Sequence, residues 1–188
     1  MRLFGLFSIL LTSQVFSVEF NFQETYSLAK NGDSDAQYKL GYWYGEERSD
    51  FENSIKWIIK AAEQNHERAF LHLGYVYKEG LGVPENDSEA LKWLLKGATA
   101  GFISNQFFLG QMYLEGDGIA RDPIKSYVWF SMAKTQSYND PKFQTNEDFQ
   151  KNTDKNIESA KKLMSTQALN RAQNSASRCW KTKFKSCD

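Results

Sequence analysis

Apolar residues in this chain recur at helical spacing, and the pattern they make is itself repeated. Leu40-Gly41-x-x-Tyr44 returns as Leu73-Gly74-x-x-Tyr77 and again as Leu109-Gly110-x-x-Tyr113. A tryptophan follows each copy, at Trp57, Trp93 and Trp129, with an interval of 36 residues both times. The Leu-Gly interval is 33 and then 36, which places a three-residue deletion between Tyr44 and Trp57 in the first copy. Self-similarity at a period of this length marks a stacked helical array, in which no unit can bury its apolar face alone.

Each unit reads as two helices. The first spans about 36–45, 68–79 and 105–115 in the three copies and carries its glycine in mid-helix. Glycine there costs roughly 1 kcal/mol against alanine, so a closely approaching neighbour must offset it. Gly80-x-Gly82-Val83 and Gly116-x-Gly118-Ile119 end that helix in copies two and three, because glycine enters the left-handed conformation a helix C-terminus needs. Copy one has Gly45-Glu46-Glu47 instead, and a shorter turn is expected. Asp50, Asn86 and Asp122 stand seven residues before each tryptophan and are good N-caps for the second helix, with Pro123 at its first position in copy three. Trp57 with Ala61 and Ala62, Trp93 with Ala98, and Trp129 with Ala133 set large against small side chains on one face. These helices should stop near Asn65, Gly101 and residues 136–138.

The flanks complete the array. Residues 20–32, with Tyr26, Leu28, Ala29 and Gly32, read as the second helix of a partial leading unit (20–35), followed by units 36–68, 69–104 and 105–138. From Thr135 to Asn156 the chain is polar and contains Pro141, which predicts an extended connection with one short helix. Apolar positions resume at helical spacing from Ile157 to Trp180, with Ser165 or Thr166 as a dividing cap. Residues 139–188 are thus expected to hold a C-terminal helical cap, which a solenoid needs to cover its last repeat.

The N-terminus adds a compartment. Arg2, an apolar run from Leu3 to Leu11 and small Ser17 read as a secretory signal over residues 1–17, making the protein exported, periplasmic or secreted. That run falls short of the roughly 20 residues a membrane span needs, so none is expected. An uncleaved anchor or a buried first helix is the competing reading, since Val18, Phe20 and Phe22 carry apolar character onward. In an oxidising compartment Cys179 and Cys187 would pair and close a small loop; without export they would be free thiols.

Charge and chemistry narrow the function. Basic and acidic residues balance at 23 each, which points the bulk surface to neither nucleic acid nor a membrane. The basic tail Arg178 to Lys185 is either a solvated end or an electrostatic contact with an acidic partner or anionic lipid. No phosphate-binding loop, metal-spaced cluster or nucleophile motif stands out, so no cofactor, metal or enzymatic activity is expected. His66 and His72 lie six apart, off the i, i+4 face of a helical metal pair, and are assigned structural or solvent roles.

The pattern Ala-x-x-x-Leu-Gly-x-x-Tyr-x-x-Gly-x-Gly-Val, with an Asp before the second helix and an ending like Trp57-x-x-Lys60-Ala61-Ala62, resembles the Sel-one-like repeat family, relatives of tetratricopeptide repeats. The resemblance covers residues 36 to 135. Asn65 replaces the usual glycine, Gly97 interrupts the Lys-Ala-Ala of unit two, and Asn105 replaces the opening alanine of unit three. The implied fold is all-α, a right-handed α/α solenoid of TPR-like hairpins. The implied function is protein–protein interaction by a monomer, in its sharpest form an immunity-type inhibitor of a toxic effector such as a secreted lipase. A general envelope-assembly adaptor is the alternative. Hydrolysis of β-lactam or cell-wall compounds, attributed to cysteine-rich relatives, fits poorly because the repeats here lack cysteines.

Spacing separates two apolar stripes on the first helices. Ala36, Leu40 and Tyr44 with their equivalents form the core stripe. Tyr38 and Tyr42, Leu71 and Tyr75, and Phe107 and Gln111 lie at i, i+4 on another side. Tetratricopeptide geometry implies that this second stripe faces a concave groove, with Lys78, Glu79 and Glu115 toward its edge. It either anchors a partner there or packs against the C-terminal helices or a neighbouring repeat.

Overall fold

A computed structural model describes residues 20–187; the expected signal segment lies outside them. Among the described residues there are ten helices and no strand: α1 (Phe22–Lys30), α2 (Ser34–Glu46), α3 (Phe51–Glu63), α4 (Glu67–Glu79), α5 (Asp87–Thr99), α6 (Ile103–Glu115), α7 (Pro123–Ser137), α8 (Pro141–Gln144), α9 (Glu147–Lys162) and α10 (Thr166–Lys181). Helices α2–α3, α4–α5 and α6–α7 pair as hairpins, and α3 packs on α4 and α5 on α6, so contacts run stepwise along the chain. That sequential stacking is the architecture of an α-solenoid.

The caps explain why the helices begin and end where they do. Asp50, Asn86 and Asp122 each accept a backbone N–H from the residue three further on, opening α3, α5 and α7. Gly80 and Gly116 close α4 and α6 in the left-handed conformation. Asn65 takes the same conformation, with φ at 60°, where the repeat elsewhere has Gly101; asparagine is among the few residues that tolerate it.

The mid-helix glycines set the hairpin spacing. A methyl group on Gly41 would fall 2.6 Å from Ile58, on Gly74 2.7 Å from Leu94, and on Gly110 3.0 Å from Phe130. Ile58, Leu94 and Phe130 are equivalent positions one residue after the repeat tryptophans. Each glycine therefore lets a bulky side chain of the second helix lie directly on the first. The two departures at Gly97 and Asn105 turn out to be one feature: a side chain on Gly97 would fall 2.4 Å from Asn105 Nδ2. The asparagine fills the space that the missing methyl vacates.

At the N-terminal end, Phe20 and Phe22 pack on Trp43 at ring distances of 5.5 and 4.8 Å. Their apolar character thus belongs to the folded array. Gln37 Nε2 donates to the Ala29 carbonyl of α1, as Gln106 Nε2 donates to the Ala98 carbonyl of α5. Helix α1 therefore meets α2 as a second helix meets the next unit.

Beyond the repeats the structure corrects the extended connection expected for residues 135–156. Helix α7 runs to Ser137 and α9 already begins at Glu147, leaving only a short link that contains α8. Asn146 caps α9 by accepting from the Phe149 N–H, with Glu147 and Asp148 in the first turn, where acidic groups favour a helix start. Helix α9 packs on α7 and touches α6, while α10 lies along α7. Ala176, Cys179 and Cys187 join Ala98, Leu109, Val128, Trp129 and Met132 in one core cluster. A disulfide links Cys179 to Cys187 with their Cα atoms 4.4 Å apart. It turns Phe184 onto that cluster while Lys181, Lys183 and Lys185 stay exposed, which splits the alternating tail into a packed half and a solvated half.

Candidate functional site

The first helices α2, α4 and α6 carry the second stripe, and its members meet different neighbours. Tyr38 is half-buried on α2; its ring stacks on His66 at 4.8 Å and meets His72 edge-on at 6.0 Å. Tyr42 stands one turn on, 6.4 Å from Tyr38 and 6.1 Å from His72. Leu71 is half-buried on α4, and Tyr75, one turn later, is 45% exposed. Phe107 on α6 packs at 5.3 Å on Phe130 and 5.2 Å on Phe149 of α9, so the C-terminal helices partly cover the stripe there. Gln111 is half-buried beside it. Lys78 sits 2.5 Å from Asp117 and 4.0 Å from Glu79, and these carboxylates raise its pKa despite the opposing desolvation.

The two histidines assigned no functional role lie within this group. His66 is the N-cap of α4: its Nδ1 accepts the Ala69 N–H at 3.3 Å, which assigns the ring proton to Nε2, 2.9 Å from Asp35. His72 keeps an edge at the surface, but burial of its ring lowers the pKa to about 4, so it is neutral at neutral pH. The Tyr38 phenol is likewise pushed up to about 12 by burial and stays protonated. A neutral, aromatic-rich surface results, with hydroxyl and imidazole groups at its rim. His72 follows Leu71 directly and lies on the same side of α4, one residue off the i, i+4 rows that separated the stripe.

The far edge of this face is acidic. Glu46, Glu79 and Glu115 are the last residues of α2, α4 and α6, at equivalent repeat positions, and all are exposed. A carboxylate at a helix C-terminus opposes the macrodipole by about 0.3–1 kcal/mol. Here it does so three times in register, with Glu47 and Asp117 nearby. Lys39 lies midway along α2, and Arg68 shares the first turn of α4 with Glu67, as Asp35 stands in the first turn of α2.

A separate depression of about 410 Å³ opens between the starts of α4 and α6 and the α7–α8 link, lined by Glu67, Phe102, Gln136, Pro141 and Trp180 among others. Among the described residues no group of three or more His, Cys, Asp or Glu side chains is placed to hold a metal ion. No described helix is long and apolar enough to cross a membrane.

Stacked helix hairpins with a partly exposed aromatic face define a solenoid repeat protein of the interaction-scaffold class. The Sel1 repeat model matches residues 34–66, 71–102 and 106–138, and the chain belongs to that family. Among solved structures, a Sel1 repeat protein from Oxalobacter formigenes is 30% identical, with a TM-score of 0.55 over 66% of this chain and 94% of that one. The c5321 protein, a protective antigen of uropathogenic Escherichia coli with an SLR fold, is 25% identical, with a TM-score of 0.69 over 86% of this chain. This chain spans 32% of the length of c5321. No curated protein matches the sequence. Repeats of this family generally mediate protein–protein interaction and typically serve as non-enzymatic scaffolds.

Proposed function

We propose that the protein binds a partner protein through the face of α2 and α4 that carries Tyr38, Tyr42, Leu71 and Tyr75, with Lys78, Phe107 and Gln111 extending it. The observation that carries this reading is Tyr75, a large side chain 45% exposed one helical turn from half-buried Leu71 and His72. Tyrosine supplies apolar area with a hydroxyl and loses little entropy on binding, which suits it to an anchor role. Export is part of the proposal, supported by the Cys179–Cys187 disulfide, since such bonds persist in oxidising compartments. The sharpest form is an immunity-type inhibitor that occludes a toxic effector; its support is the family resemblance together with export. A general envelope-assembly adaptor is separated from it by a deletion strain, which would grow poorly with no toxin present.

Affinity capture of the partner, followed by binding and melting measurements on the Tyr42→Ala and Tyr75→Ala variants, tests the face. We expect each to weaken binding by about 1–2 kcal/mol and to shift melting little. A large loss of stability at unchanged affinity would show that these rings serve packing alone.

A further inference from the structure

Resting on that reading, we propose that the segment bound on this face is a cationic amphipathic one, with apolar side chains on Tyr42, Leu71 and Tyr75 and lysine or arginine side chains directed to the C-terminal ends of α2, α4 and α6. The face provides the two halves of such recognition at one helical turn's separation. Tyr42 and Glu46 stand at i, i+4 on α2, Tyr75 and Glu79 at i, i+4 on α4, and Gln111 and Glu115 at i, i+4 on α6. A residue four further on lies directly beside its predecessor, so the acidic row borders the tyrosines on α2 and α4 and Gln111 on α6. Glu46 is close enough to Tyr42 and Tyr38 for its charge to act on both phenols.

The fold compensates this edge only in part: Arg121 donates to the Glu115 carbonyl at 3.4 Å. Among the described residues no lysine or arginine pairs with Glu46, Glu47 or Glu115, and Lys78 reaches Glu79 only at 4.0 Å while bound to Asp117 at 2.5 Å. The carbonyl ends of α2 and α4 add partial negative charge at the same place. At the opposite ends of α2 and α4, Asp35 and Glu67 stand in the first turns, close to the positive helix ends that offset them. A bound segment is therefore attracted with its basic side lying toward the glutamates. An acidic segment would set like charges against this edge, and a wholly apolar one would leave the carboxylates without counter-charge.

Fluorescence anisotropy on the full chain tests this with three labelled synthetic peptides of equal length: a leucine–lysine amphipathic helix former, the same peptide with glutamate for lysine, and the lysine peptide with serine for leucine. We expect saturable binding of the first alone, weakened roughly tenfold by the triple variant Glu46→Gln, Glu79→Gln, Glu115→Gln and by added salt. The triple variant should melt no lower than the parent, because it removes charges that oppose the helix dipoles. If the glutamate peptide binds as tightly as the lysine peptide and Tyr75→Ala weakens both, the acidic edge plays no part while the aromatic face stands. If no peptide binds saturably, or if Tyr75→Ala leaves binding unchanged, both proposals fall.

Discussion

Hairpins one and three are joined to their preceding helices by a polar relay, whereas hairpin two has a buried ring at the same place, in one apolar cluster with Ile58, Ala61 and Ala62 of α3. In hairpin one Gln37 donates to the Ala29 carbonyl and accepts from Gln64; in hairpin three Gln106 donates to the Ala98 carbonyl and accepts from Gln136. The equivalent of Gln37 and Gln106 in hairpin two is Phe70, which packs on Trp93 and Phe102 at ring distances of 6.3 and 6.0 Å. Equivalent repeat positions can thus be held by directional hydrogen bonds or by buried ring area, and the two should fail differently when truncated.

The largest expected effect is at the aromatic junction. Phe70→Ala should cost about 3–5 kcal/mol in denaturant unfolding, because the buried ring leaves a cavity. A cost under about 1 kcal/mol would mean that the neighbouring rings collapse freely. His72, where hairpin two meets Tyr38 and Tyr42, provides a pH-dependent contrast: the equivalent positions are Lys39 and Phe108. Its folded pKa of about 4 lies below the unfolded value of 6.5. Stability from its neutral form is therefore full above pH ~6.5 and declines as pH falls toward ~4, by up to about 3 kcal/mol, less for the solvated edge of the ring. Unfolding free energies from pH 7 to 4 should show this slope in the parent and lose it in His72→Gln. At the polar junctions Gln106→Ala should cost about 1–3 kcal/mol, because it removes two hydrogen bonds of a fully buried side chain and leaves a cavity, and a double-mutant cycle with Gln136→Ala should reveal coupling of about 0.5–1 kcal/mol or more. Additive costs would reduce the relay to two independent contacts.

How far the sequence foretold this depended on whether a residue's role is local. Asp50, Asn86, Asp122, Gly80 and Gly116 act on their own backbone, and their residue types alone identified the helix ends. Gly41, Gly74 and Gly110 were legible as close-approach sites, though not which side chains would cover them. Helix α9 was obscured because its buried face includes Thr153, fully enclosed and satisfied by donating to the Phe149 carbonyl; a polar residue satisfied within its own helix gives no apolar period to read. Gln37 and Gln106 were hidden for a different reason: the groups that satisfy them lie on other helices. The aromatic stripe was legible from i, i+4 spacing, but not that Phe149 from α9 would reach Phe107, nor that His66 and His72 would stack and wedge beside Tyr38. Those contacts join residues distant in sequence, and spacing along one helix carries no record of them.

The pairing of Gly97 with Asn105 limits how such a chain can change its number of repeats. Unequal exchange between copies is the simple route by which tandem arrays lengthen or contract, and it works when every junction is interchangeable. Removing hairpin two would set Asn105 against Ala61, whose methyl occupies the space the asparagine needs. Duplicating hairpin two would set a second Ala69 against Gly97 and leave a void there. Both products begin with a packing fault at the new junction, so changes in array length at this boundary would require a compensating substitution before the protein regained its parent stability.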